Sequence, residues 1–222
     1  MITKDNLKEV LEILNFNSKD KIVYEKFYQN SDKISIKVDF DKKTIDYLPF
    51  DNRFKSDILP SIDNPSVGFM AHRETTLNFK DEKAKEVFVD LIAVDKLLEK
   101  GYKPEHIVLE PEFKTGHGDK AYGDILVLNE NFENLLLIEC KTTTSDINKS
   151  EFNKEWQNML ENGGQLISYQ GVRKSKFLCL LSFDLEENQI LTYNYIISML
   201  DDENGKKAEK KLFKFKRQRS DI

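Results

Sequence analysis

Apolar residues at Leu7, Val10, Leu11 and Leu14 follow the three-and-four spacing of one helical face. Three short runs come next: Ile22 to Tyr24, Ile34 to Phe40 and Thr44 to Leu48. Their β-branched and aromatic content reads as strands, with Asp41-Lys42-Lys43 as the turn between the last two. Residues 1–72 are therefore expected to form an α+β extension, a helix plus a β-meander, with Asn64-Pro65-Ser66-Val67-Gly68 as a loop. Ala84, Val87, Phe88, Leu91 and Leu98 then stripe a longer helix that stops near Gly101. A strand begins at His106 to Glu110, and Lys114 to Gly123 reads as a flexible loop.

Two apolar runs carry an acid at one end: Gly123-Asp124-Ile125-Leu126-Val127-Leu128 and Leu135-Leu136-Leu137-Ile138-Glu139-Cys140-Lys141. Each reads as a buried strand, and the link Asn129 to Asn134 is rich in turn formers. The expected hairpin sets Asp124 at the start of one strand beside Glu-x-Lys at the end of the other. Period-two alternation puts Glu139 and Lys141 on one face. Helices follow around Phe152 to Leu160 and from Gly164. Strands at Lys176 to Phe183 and Ile190 to Ile197 close the core, with Asp184 to Asn188 as their turn. The order from residue 84 is α-β-β-β-α-β-β, an α/β arrangement with a mixed sheet flanked by helices.

Acids at the ends of such apolar runs need partners, because burying an unpaired charge is costly. Two neighbouring carboxylates repel unless a positive charge lies between them. Mg²⁺ (or Mn²⁺) takes one or two carboxylates and keeps several waters, which fits Asp124 and Glu139 with the Lys141 ammonium beside them.

Asp, a gap of fourteen residues and Glu-x-Lys resemble the core of PD-(D/E)xK nucleases, with Gly123 where the family has proline. Gln165 and Tyr169 are four apart on one helical face, and this Gln-x-x-x-Tyr resembles the accessory motif of the nuclease domain that opens type I restriction-enzyme R subunits. Glu86 to Tyr102 resembles the first core helix of that domain. Glu151 to Gln165 with Lys176 to Leu180 resembles the amino-terminal nuclease segment of single-chain restriction-modification proteins, which carry an adenine methyltransferase region downstream.

The resemblance implies a restriction-endonuclease-like core over residues 73–200 and Mg²⁺-dependent hydrolysis of double-stranded DNA. It implies Asp124 and Glu139 as metal ligands, joined by the backbone carbonyl of Cys140 and an acid of the first helix (Glu86, or Glu82 in its place). Lys141 would handle the nucleophilic water, with Gln165 and Tyr169 supporting the site. It also implies a methyltransferase or a helicase and specificity region elsewhere in an intact protein, and a dimer where both strands are cut. The alternatives are a catalytically silent domain of the same fold, used for DNA positioning or subunit docking, and a repair nuclease or junction resolvase.

Composition narrows the classes. The chain has 222 residues, 39% hydrophobic and 33% charged, enough for one good core with a small appended unit. No apolar stretch approaches membrane-spanning length, and the amino terminus lacks a signal-peptide apolar region, so a cytoplasmic setting is expected. Cys140 and Cys179 fall inside expected strands and read as buried reduced thiols; with three scattered histidines they do not make a zinc site. The net charge is −5, yet residues 205–222 hold eight lysines and arginines against two acids, a local +6 that leaves −11 for the rest. Residues 201–222 are thus a basic tail or the start of a following element. Gly116-His117-Gly118 lacks the Gly-Lys-Ser/Thr ending of a phosphate-binding loop, His117 reads as solvated, and Trp156 reads as a packing anchor.

Overall fold

The computed structural model describes residues 1–54, 58–71, 79–80, 85–114, 120–144, 147–167, 174–199 and 212–213. Helix α1 (Leu7–Ile13) precedes an antiparallel meander of β1 (Val23–Phe27), β2 (Ser35–Asp39) and β3 (Thr44–Leu48). A two-residue strand β4 (Met70–Ala71) leads toward helix α2 (Glu86–Glu99) and strand β5 (Ile107–Leu109). Strands β6 (Glu112–Lys114) and β7 (Lys120–Tyr122) pair as a separate ribbon. Then come β8 (Ile125–Leu128), β9 (Asn134–Cys140), helix α3 (Glu151–Asn162), β10 (Phe177–Glu186), β11 (Gln189–Ser198) and β12 (Leu212–Phe213).

The main sheet has seven strands in the order β12-β11-β10-β9-β8-β5-β4. Neighbours are antiparallel at β5–β8, β8–β9, β10–β11 and β11–β12, and parallel at β4–β5 and β9–β10. The parallel β9–β10 pair requires a crossover, and α3 supplies it. Serine and glycine set the ends of that helix. Ser150 Oγ accepts the N–H of Asn153 at 3.1 Å, and Gly163 takes φ +87° at the C-terminus, where a side chain is disfavoured.

Strand β8 is buried on both faces, which is why four consecutive apolar residues fit there. Its alternation divides the interior. Ile125 and Val127 join α1, the meander, α2, Ile138 and Cys140 in one apolar cluster. Leu126 and Leu128 join Leu137, Leu178, Leu180 and the α3 residues Phe152, Trp156 and Met159 in the other. So α2 and the meander cover one face of the sheet, and α3 covers the opposite face. Helix α1, the meander and α2 share one core, while Phe54 and Met70 join the other. Lys26 Nζ and Tyr28 Oη both donate to the buried Asp95 on α2 at 2.7 Å, and Lys26 also reaches Glu99 at 2.7 Å.

Three expected boundaries are corrected. Asp184 to Glu186 extend β10 instead of belonging to the turn, because the chain reverses in Glu187 and Asn188 alone. Both take positive φ (+49° and +61°), the conformation of a two-residue hairpin whose twist matches its strands. The segment read as a loop from Lys114 instead begins and ends in the β6–β7 ribbon, whose Phe113 ring is fully buried. The strand read from His106 starts at Ile107, since Pro104–His106 forms a 3₁₀ turn. No described helix is long and apolar enough to cross a membrane.

Candidate metal centre

The β8–β9 pairing brings the ends of both strands together beside the first turns of α2. Asp124 is fixed there by backbone on two sides. The N–H of Glu110 donates to its carbonyl at 2.8 Å, and the N–H of Cys140 donates to its Oδ2 at 2.5 Å. Gly123 has no room for a side chain: a Cβ would lie 2.9 Å from the Phe113 ring. Its N–H also donates to the Pro111 carbonyl at 3.2 Å, a bond that proline at this position could not make.

Glu139 is buried, and its Oε1 accepts from Lys141 Nζ at 2.8 Å. Glu86, the first residue of α2, lies 3.4 Å from the same ammonium. The Lys141 main chain is tied to β10: its N–H donates to Leu181, and Ser182 Oγ donates to its carbonyl. Burial opposes the charged ammonium, but Glu139, Asp124 and Glu86 outweigh it and hold Lys141 protonated well past its ordinary range. Burial raises the Glu139 carboxyl, with Lys141 pulling the other way. The Asp124 carboxyl is raised by burial, then by Glu139 and Asp90.

A second group lies against Asp124 from the α2 side. Ligand atoms of Asp90, Asp124 and Cys140 all fall within 4.8 Å of one another. The Cys140 thiol lies beside the Asp90 carboxylate. Burial pushes the Asp90 carboxyl up to about 8 against that thiol, with Glu86, Glu110 and Glu139 adding to the rise. Burial, Asp90 and Asp124 push the thiol up as well. Alternation along β9 explains the division: Cys140 packs with the α2 side, while Glu139 and Lys141 have the opposite parity. Asp124 at the rim interacts with both sets.

The expected residues are thus distributed as follows. Asp124, Glu139, Lys141 and Glu86 are electrostatically linked around one ammonium. Cys140 contributes its amide to Asp124 and its thiol to the Asp90 group. Gln165 is exposed, and its backbone N–H donates to Glu155 Oε1 at 2.9 Å. Tyr169, Glu82 and His117 lie outside the described residues.

Two acids went unassigned at the level of sequence. Asp90 stands one turn beyond Glu86 in a helix otherwise buried almost all round, and a buried acid in such a helix is itself a signal. Glu155 on α3 adds to the rise of the Glu139 carboxyl across the other face.

The donor set can be tested against a hard divalent cation. Oε2 of Glu139 and Oδ1 of Asp90 are buried without a hydrogen-bond partner, one orphaned acceptor in each of the two groups. Asp124 and Glu139 offer carboxylate oxygens, the donor type that Mg²⁺ or Mn²⁺ prefers. No family model and no curated protein matches this chain.

Proposed function

We propose that this chain is a metal-dependent DNA endonuclease domain of the PD-(D/E)xK type, acting in restriction or restriction-modification. The observation that carries the reading is the Lys141 ammonium, 2.8 Å from Glu139 and 3.4 Å from Glu86, beside Asp124 at the joined ends of β8 and β9. The succession α2, β5, β8, β9, α3, β10, with two antiparallel steps and then a parallel one, supports a restriction-endonuclease-like core.

In this reading Asp124 and Glu139 hold Mg²⁺ or Mn²⁺, with Glu86 and the Cys140 carbonyl as further candidates. The bound ion supplies Lewis-acid stabilisation of phosphate charge and a more acidic water. Lys141, kept protonated by its three carboxylate neighbours, donates a hydrogen bond and positive charge to the phosphate or the attacking water instead of accepting a proton. Its main-chain ties to β10 keep that donor in place. Glu155 faces Glu139 from α3, with Gln165 and Tyr169 carried as supporting residues from the sequence motif.

The test is cleavage of supercoiled plasmid DNA with Mg²⁺ or Mn²⁺ by the full chain. Lys141→Ala and Asp124→Ala are each expected to slow cutting by about 10²-fold or more. Cutting at the unaltered rate by either variant would remove the assignment. Absence of calorimetric Mg²⁺ or Mn²⁺ binding that depends on Glu139 would favour a silent domain, and preferential cutting of branched or single-stranded over linear DNA would favour a repair nuclease or resolvase.

A further inference from the structure

We infer that Asp90, Asp124 and the Cys140 sulfur form a mixed carboxylate–thiolate site for a thiophilic divalent cation such as Zn²⁺, Co²⁺ or Cd²⁺, overlapping the rim site at Asp124. The three candidate ligand atoms come from three separate elements, α2, the residue before β8 and the end of β9, and lie within 4.8 Å of one another. Ligands on one tetrahedral zinc ion stand about 3.3–3.6 Å apart, given Zn–S of about 2.3 Å and Zn–O of about 2.0–2.2 Å. Side-chain shifts of about an ångström close the group onto a metal.

A second observation points to a ligand. Asp90 is 4% exposed, and its Oδ1 is buried with no hydrogen-bond partner. A buried acid oxygen with nothing to accept from carries a desolvation cost that a cation removes. The Asp124 Oδ2 is anchored by the Cys140 amide, so that carboxylate is already oriented. Asp124 is half-buried while its two partners are buried, which leaves an approach from the rim.

Sulfur decides the metal. Mg²⁺ prefers oxygen, whereas a thiolate selects softer ions. Binding replaces the thiol proton by the metal: the S–H bond is broken, a sulfur–metal bond forms, and that proton passes to buffer with any proton the two carboxyls hold in the metal-free chain. This inference does not rest on nuclease activity, because Glu139 and Lys141 take no part in it.

Co²⁺ is the probe. Titrated into the metal-free full chain under non-chelating reducing conditions, it is expected to give the thiolate-to-cobalt charge-transfer absorption, with at least one proton released per ion. Cys140→Ser is expected to abolish the absorption. Cys179→Ser, which alters the other cysteine, is expected to keep it, as is Glu139→Gln. Absence of the absorption in the unaltered chain, or its survival in Cys140→Ser, overturns the inference. Should Cys140→Ser fail to fold, Asp90→Asn decides: Co²⁺ affinity at least about tenfold weaker supports the site, and unchanged affinity overturns it. Failure here leaves Mg²⁺-dependent cleavage, tested through Lys141, unaffected.

Discussion

Oδ2 of Asp124 accepts the backbone N–H of Cys140 at 2.5 Å, joining the start of one central strand to the end of its neighbour. The carboxylate is therefore a bracket for β9 as well as a candidate ligand. Asp124→Ala should leave that amide unsatisfied and cost about 1–3 kcal/mol, whereas Asp124→Asn keeps an acceptor and should cost less. Urea denaturation of the two variants checks this. Equal losses would show that the hydrogen bond does not anchor the strand end.

Stability should fall with rising pH through the Asp90 group in the metal-free chain. Its folded value near 8 stands above the ordinary 3.8, so the folded state keeps a proton that the unfolded state has lost across that interval. Its stabilising effect is complete below the lower value and is lost as pH rises through the upper one. Asp90→Asn carries no such proton. Its melting temperature relative to the unaltered chain should climb between about pH 5 and about pH 8, and a constant difference would contradict the assignment.

The link between the meander and α2 should be costly to break. Lys26 meets Asp95 at 2.7 Å, and the Asp95 side chain is 0% exposed. Lys26→Met should destabilise by about 3–5 kcal/mol, because the acid loses its buried cation. Asp95→Asn, which still offers an acceptor to Tyr28, should cost less. Chemical denaturation monitored by far-ultraviolet circular dichroism measures both.

Trp156 stacks on Tyr195 with centroids 3.9 Å apart and planes 12° from parallel, holding α3 against β11. It is the sole tryptophan, so its fluorescence reports the surroundings of this one ring. Tyr195→Ala should shift the emission to longer wavelength in the folded chain, and Trp156→Ala should destabilise by about 3–5 kcal/mol.

Much of this arrangement can be read from residue pattern. The β8–β9 hairpin follows from two apolar runs and a link in which Asn129 Oδ1 accepts the N–H groups of Asn131 and Glu133. The acid-lysine rim follows from alternation along β9. What escaped is tertiary. Asp90 is five residues from Asp95 on one helix, yet the first meets a cysteine fifty residues away and the second a lysine and a tyrosine in the meander. No local pattern distinguishes these acids, because their partners are chosen by packing. The β6–β7 ribbon escaped because the intervening polar and glycine residues carry no strand periodicity, and its one large apolar anchor is the buried Phe113 ring.

Pinned by Leu181 and Ser182 along its own main chain, Lys141 has no hinge of its own. Only the aliphatic stem can swing, so the ammonium sweeps a small arc with a fixed origin. Arginine there would overshoot and ornithine would fall short, with no drift of the backbone to make up the difference. Tolerance at this position is governed by side-chain length before charge.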